Sequence, residues 1–184
     1  MLILTRATTT WLMLSFATLV LCGTAAAETD KTLVSWVTLA NTTQRGGSAL
    51  TIQRGDQFDA IVFGETAPGK WMAGSDYYSR TQRDQQANPV EQSDSKTLVG
   101  MAIVYRGNQI SIYRNGEPYA RYQADNIDLL ELPDNIVVFG RRHWGSASGQ
   151  MLRGSIEDAR IYDTALTAED IKALVPNEEP AIKP

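Results

Sequence analysis

The chain has a single cysteine, Cys22, and a single histidine, His143. The first scarcity excludes a disulfide framework, a cysteine-bound zinc and an iron–sulfur cluster. The second excludes a histidine-rich metal centre. Basic residues are scarce too: 17 Lys and Arg face 21 Asp and Glu over 184 residues, a net charge of −4. Without a basic stripe to neutralise phosphates, nucleic acid is excluded as a partner. No apolar run reaches the roughly 20 residues that a helix needs to cross a bilayer. A charged fraction of 21% is close to the globular mean, which sets the chain apart from disordered and collagen-like sequences.

The longest apolar run is Trp11–Cys22 (WLMLSFATLVLC), with Arg6 ahead of it and Ala25-Ala26-Ala27 behind. A weakly positive start, a short apolar stretch and an A-x-A ending make a secretory signal peptide over 1–27, cut after Ala27. The protein is therefore expected to be secreted or to reside in the periplasm or cell envelope. Reading Cys22 as a lipid-attachment site would require a small residue before it, and Leu21 stands there. Removal of the leader leaves no cysteine, so residues 28–176 must be held by a core alone. A chain of about 150 residues buries roughly two-thirds of its unfolded surface, enough for one domain. Residues 177–184 are polar and contain proline, and read as a flexible tail.

The body of the chain reads as strands. Leu33–Leu39 alternates, with Leu33, Ser35, Val37 and Leu39 on one parity and Val34, Trp36 and Thr38 on the other. Similar short runs occur at Ala49–Gln53, Phe58–Phe63, Leu98–Tyr105, Gln109–Arg114, Tyr119–Ala124, Ile136–Gly140 and Gly154–Tyr162. Asn115-Gly116 marks a tight hairpin, because both residues tolerate positive φ. Arg106-Gly107-Asn108 marks the reversal before it. Thr167, followed by Glu169 and Asp170 and later by Pro176, caps, charges and stops one short helix over Ala168–Leu174. The fold class is all-β: a two-sheet antiparallel jelly-roll sandwich with one short C-terminal helix. Asp76–Lys96 is the longest irregular stretch, expected to be ordered near Trp71–Arg80 and mobile beyond it.

The series Ile110–Gly116, then Val138-Phe139-Gly140, then Gly154–Tyr162 with Ala165-Leu166-Thr167 and the helix, resembles the end of a LamG-like domain. Such domains belong to the concanavalin A-like lectin and glucanase superfamily, and the resemblance runs from about Leu33 to Leu174. The upstream stretches Gln44–Gly47, Phe58–Gly64 and Trp71–Ser75 are similar to a LamG subtype appended to large secreted proteins of environmental bacteria. The resemblance implies the jelly roll but not a single function, since this sandwich hosts lectins, adhesion modules, hydrolases and spacers. It also implies one or two strands ahead of Leu33. Their absence would leave a sheet edge open, for a protein partner or a second copy of the chain to cover. Calcium is the one cofactor the resemblance brings, without assigned ligands. Glu157 stands where the family tends to carry Asp, and Asp56, Asp59, Asp76 and Asp134 lack EF-hand spacing.

Glycosidases on such a sandwich need two carboxylates on one strand face, roughly 5–9 Å apart. Glu157 and Asp158 are adjacent and point to opposite faces. Asp158 is expected to pair with Arg160 instead. His143 has no nucleophile elbow to serve. No catalytic residue is assigned, and the protein is read as a non-enzyme. Sugar binding asks for aromatic faces beside hydroxyl donors. Two loop clusters offer them: Trp71 with Tyr77, Tyr78 and Arg80, and the run Arg141-Arg142-His143-Trp144. The ligand-binding set is Trp71, Tyr77, Tyr78, Arg80, Arg141, His143 and Trp144. The arginines favour an anionic polysaccharide or glycoprotein. A protein-interaction or envelope-assembly module is the alternative, and a glycoside hydrolase ranks behind both.

Overall fold

A computed structural model describes residues 30–125, 134–145 and 150–178. The expected leader and the last six residues of the expected tail lie outside the described residues. Among these residues nine strands run in chain order: β1 Lys31–Leu39, β2 Ser48–Arg54, β3 Gln57–Phe63, β4 Trp71–Ser75, β5 Val99–Arg106, β6 Gln109–Arg114, β7 Glu117–Gln123, β8 Ile136–Gly140 and β9 Gly154–Tyr162. The one α-helix among the described residues, α1, covers Ala168–Ala173. The strands form a five-stranded sheet in the order β7-β6-β5-β1-β9 and a four-stranded sheet in the order β4-β3-β2-β8. Every pairing is antiparallel.

The alternation read in β1 explains its position. Leu33, Val37 and Leu39 enter the core between the sheets with Ile61, Phe63, Ile103 and Tyr105. Val34 and Trp36 face the other way and lie under Leu166 and Ile171 of the C-terminal segment. A strand apolar on both faces belongs in the interior of a sheet, and β1 is flanked by β5 and β9. This corrects the expectation of an open edge beside Leu33: both edges of β1 are paired, so it offers a partner no free backbone. The unpaired outer strands are β7 and β9 in one sheet and β4 and β8 in the other.

Asn115 and Gly116 adopt φ of +50° and +78°, the left-handed pair that a two-residue hairpin of this twist requires. At the helix, Thr167 Oγ1 accepts from the Asp170 amide at 3.1 Å, and Asp170 returns a bond to the Thr167 N–H at 2.9 Å. The expected cap is thus a reciprocal capping box. The expected ion pair also forms, with Arg160 Nη2 2.6 Å from Asp158 Oδ2.

Two readings differ. Trp71–Ser75 is a strand, pairing Phe63 with Trp71 through to Asp59 with Ser75. Beyond it, the stretch expected to be mobile is tied down at several points. Lys70 Nζ donates to the carbonyls of Gln85 and Gln86 at 2.7 and 2.8 Å, and Tyr119 donates to the Pro89 carbonyl at 2.6 Å.

The strongest tie is Glu91. Its carboxylate is buried and accepts from Trp71 Nε1 at 2.9 Å, Arg114 Nε at 2.8 Å, Arg114 Nη2 at 2.7 Å, and the Gln92 and Ser93 amides at 3.0 Å. Burial by itself would raise the pKa of Glu91. The bonds from Arg114, Trp71 and Ser93 outweigh burial and hold it at about 2. A depressed carboxyl pKa contributes stability that is complete above the unfolded value of about 4.5 and is lost as pH falls toward 2. Glu91→Ala, which also strands Arg114 and the Trp71 N–H, should cost roughly 2 kcal/mol at neutral pH. Urea titrations of both proteins from pH 7 to pH 3 test this: the gap between them narrows below pH 4.5, and a pH-independent gap contradicts the assignment.

Candidate functional site

The outer surface of the four-stranded sheet carries small and apolar residues from two neighbouring strands, Phe58, Ala60 and Val62 of β3 and Met72 of β4. All four are buried, because loops fold over them. The loop after β8 lies against polar residues of β2. Thr51 Oγ1 sits 3.1 and 2.9 Å from the carbonyl oxygens of Arg141 and Arg142. Gln53 acts as a surrogate strand for Trp144, accepting from its amide at 2.7 Å and donating to its carbonyl at 3.1 Å. The His143 ring stacks on Phe58 with centroids 5.0 Å apart and planes 16° apart. This seating leaves the Trp144 side chain 66% exposed.

The second loop is shaped by one arginine. Arg80 is 2% exposed and reaches under the loop after β4. Its Nε donates to Asp59 Oδ1 at 2.9 Å, and its Nη2 to Asp76 Oδ1 at 2.6 Å and to the Phe58 carbonyl at 2.9 Å. Asp59, fully buried on β3, also pairs with Lys31 Nζ at 2.8 Å. Asp76 and Arg80 are thereby drawn together, and the residues between them must turn within a very short span. Tyr77 and Tyr78 take up that turn with φ of +48° and +58°, a left-handed conformation costly for aromatic residues. The Tyr77 ring is 91% exposed as a result.

The two loops meet. Tyr78 donates to Glu65 Oε1 at 2.9 Å and accepts from Arg142 Nη1 at 2.9 Å, while the same Nη1 closes an ion pair with Glu65. The Arg142 guanidinium carbon lies 5.3 Å from the centre of the Tyr78 ring and 5.7 Å from that of Phe58. Among the described residues, Nε and Nη2 of Arg142 have no hydrogen-bond partner. Burial, followed by the Glu65 carboxylate, raises the Tyr78 pKa against the pull of Arg142, so the phenol remains a neutral donor. Arg141 rests its Nε 3.1 Å from Met151 Sδ and is half-buried.

The seven expected ligand contacts therefore divide. Tyr77, Tyr78, Arg141, His143 and Trp144 all belong to these two joined loops. Trp71 and Arg80 are corrected. The Trp71 ring is 0% exposed, tilted against Phe63 at 4.8 Å and bonded to Glu91, so its faces are sealed in the core. Arg80 has its guanidinium committed to two carboxylates and a carbonyl below the surface. Arg142 and Glu65, which lie outside the expected set, join Tyr78 at the junction of these loops. Arg142 was visible within the Arg141–Trp144 run, whereas nothing in the sequence ties Glu65 to it. Calcium does not fit here: Asp59 and Asp76 are neutralised by Arg80 and Lys31, and no group of metal-ligating side chains gathers among the described residues.

The fold is a two-sheet antiparallel jelly-roll sandwich. Residues 16–172 match the sequence profile of the concanavalin A-like lectin/glucanases superfamily, and the chain belongs to that superfamily. No curated protein sequence matches it. Among solved structures it resembles a candidate carbohydrate-binding protein from Bacteroides ovatus, with a TM-score of 0.60 and 15% identity over 79% of this chain and 40% of that one. It also resembles domain 4 of AbnA, an extracellular GH43 arabinanase from Geobacillus stearothermophilus, in complex with arabinotriose. There the TM-score is 0.61 and the identity 15%, over 78% of this chain and 65% of that one. A third likeness is to Trypanosoma rangeli sialidase, with a TM-score of 0.52, 18% identity and 79% coverage of this chain but 22% of the sialidase. The chain thus spans less than two-thirds of each of these neighbours, and identities this low establish a shared fold.

Gln53 holds Trp144 without reaching the solvent itself. Gln53→Ala should accelerate hydrogen exchange at the Trp144 amide roughly tenfold, the loss of one hydrogen bond of about 1.4 kcal/mol. Unchanged protection of that amide would contradict the proposed seating of the loop.

Proposed function

We propose that this chain is a secreted, non-catalytic carbohydrate-binding module whose ligand lies along the two joined loops. One observation carries the reading: the Glu65–Tyr78–Arg142 junction locks the loops together and presents Tyr77 and Trp144 to solvent. Aromatic faces supply apolar stacking against the C–H side of a sugar ring, and fixed guanidinium and phenol groups address its hydroxyls. The carbohydrate-binding structural neighbours support a ligand of this class.

Arg141 and the edge of Arg142 that has no partner among the described residues favour a carboxylated or sulfated glycan, because a guanidinium fork matches planar oxyanions in two places. Glu65 neutralises part of that charge, so the preference rests mainly on Arg141. The arabinanase and sialidase likenesses are compatible with a hydrolase as well. Hydrolysis by a pair of acids, the commonest glycosidase chemistry, needs free carboxylates, and those of these loops and beneath them are engaged, Glu65 with Arg142 and Asp59 and Asp76 with Arg80.

A glycan array followed by calorimetry tests the proposal. Retention of at least one acidic glycan is expected, with affinity falling as ionic strength rises. Tyr77→Ala and Trp144→Ala should each weaken binding about tenfold or more while shifting stability by less than about 0.5 kcal/mol, since both rings are exposed. Failure to retain any glycan, or binding indifferent to both substitutions, overturns it.

A further inference from the structure

A cavity of about 370 Å³ opens beside the Glu91 anchor, and its walls include Val90, Ser93, Thr97, Arg114 and Tyr119. None of these residues belongs to the joined loops after β4 and β8. The volume lies at the lower end of the roughly 300–1,000 Å³ typical of small-molecule sites. Its polar groups are unusually well fixed. Glu91 takes Nε and Nη2 of Arg114 at 2.8 and 2.7 Å, which aligns the guanidinium and leaves Nη1 without a partner among the described residues. Ser93 Oγ is buried and unpartnered there as well. Thr97 donates its hydroxyl proton to Asp94 Oδ1 at 2.8 Å, so its oxygen can only accept. Val90, which is 54% exposed, and Pro89 add an apolar wall.

We infer that this cavity is a second binding site, taking one or two rings of a neutral saccharide. The Arg114 charge is already balanced by the Glu91 carboxylate, so the site has no surplus charge to attract an anion. What it offers is a donor at Arg114 Nη1, an acceptor at Thr97 and a group of either kind at Ser93, set against an apolar wall. A vicinal diol on a ring with one C–H face matches that set. A buried hydroxyl without a partner costs free energy in the empty protein, and a ligand hydroxyl that meets it recovers that cost.

The test is an amide-resolved NMR titration of the purified protein with three neutral probes, arabinotriose, maltotriose and chitotriose. It is repeated on the double variant Tyr77→Ala/Trp144→Ala and on Ser93→Ala. Saturable shifts at the Gln92, Ser93 and Thr97 amides are expected with at least one probe. They should persist in the double variant and require about fivefold more saccharide in Ser93→Ala, the loss of one hydrogen bond. A spectrum unchanged away from residues 89–97 shows that Ser93→Ala stays folded. Shifts confined to the loops bearing Tyr77 and Trp144, no shift with any probe, or shifts indifferent to Ser93→Ala overturn the second site. Shifts confined to the cavity sustain it while removing the joined loops as a site for neutral sugars, so the two proposals fail separately.

Discussion

The buried pair of Asp59 and Arg80 governs the arrangement of the candidate surface. Asp59 is an acid on the inward face of β3, among residues that otherwise build the core. Removing a carboxylate from water costs several kcal/mol unless partners satisfy it. Lys31 from β1 and Arg80 from beyond β4 supply the partners, so the charge joins both sheets and the following loop at one point. Such a cluster adds little net stability, because an apolar substitute could pack the same volume. What it defines here is the path of the chain after β4. With Asp76 and Arg80 both fixed, the two tyrosines between them are forced into left-handed backbone and outward.

From that constraint the rest of the surface follows. The displaced Tyr78 reaches Glu65 and Arg142, which links the β3–β4 loop to the loop after β8. The latter is independently seated on Thr51, Gln53 and Phe58. Two segments more than sixty residues apart in sequence thus become one rim, with Tyr77 and Trp144 as its exposed rings. Rigid aromatic groups held by a second layer of hydrogen bonds lose little freedom on binding, which is how small contact areas achieve useful affinity. At another part of the sandwich, Glu91 does for residues 89–97 what Asp59 does for the tyrosine loop.

Much of the sandwich was legible because its signals are local. The alternation of β1, the Asn115-Gly116 turn and the Thr167 cap each lie within a few consecutive residues. Strand β4 was not legible, because Ala73-Gly74-Ser75 has little intrinsic β preference; in the folded sheet it pairs with β3, and Gly74 lies so close to the Val62 side chain that a Cβ there would clash. For the site, the run Arg141–Trp144 was legible as a loop cluster, and Trp144 is exposed within it. Trp71 and Arg80 were misplaced for one reason: an aromatic or a guanidinium near a loop looks the same whether its partner is a ligand or a buried acid. The deciding partners, Glu91 and Asp59, lie twenty and twenty-one residues away. Glu65, Phe58 and Gln53 were missed because only the folded sheet brings them beneath the rim.

Asp59 and Arg80 shape a surface that neither of them touches. Arg80→Met, made together with Asp59→Asn so that Asp59 does not keep a buried charge without its guanidinium, isolates that effect. Amide hydrogen exchange of this double variant, read at Ser79 and Thr81, measures it directly. The fold should stay intact in β1, β5 and β6, with at least a tenfold loss of protection at those two amides. Wild-type protection at Ser79 and Thr81 in that variant would contradict it.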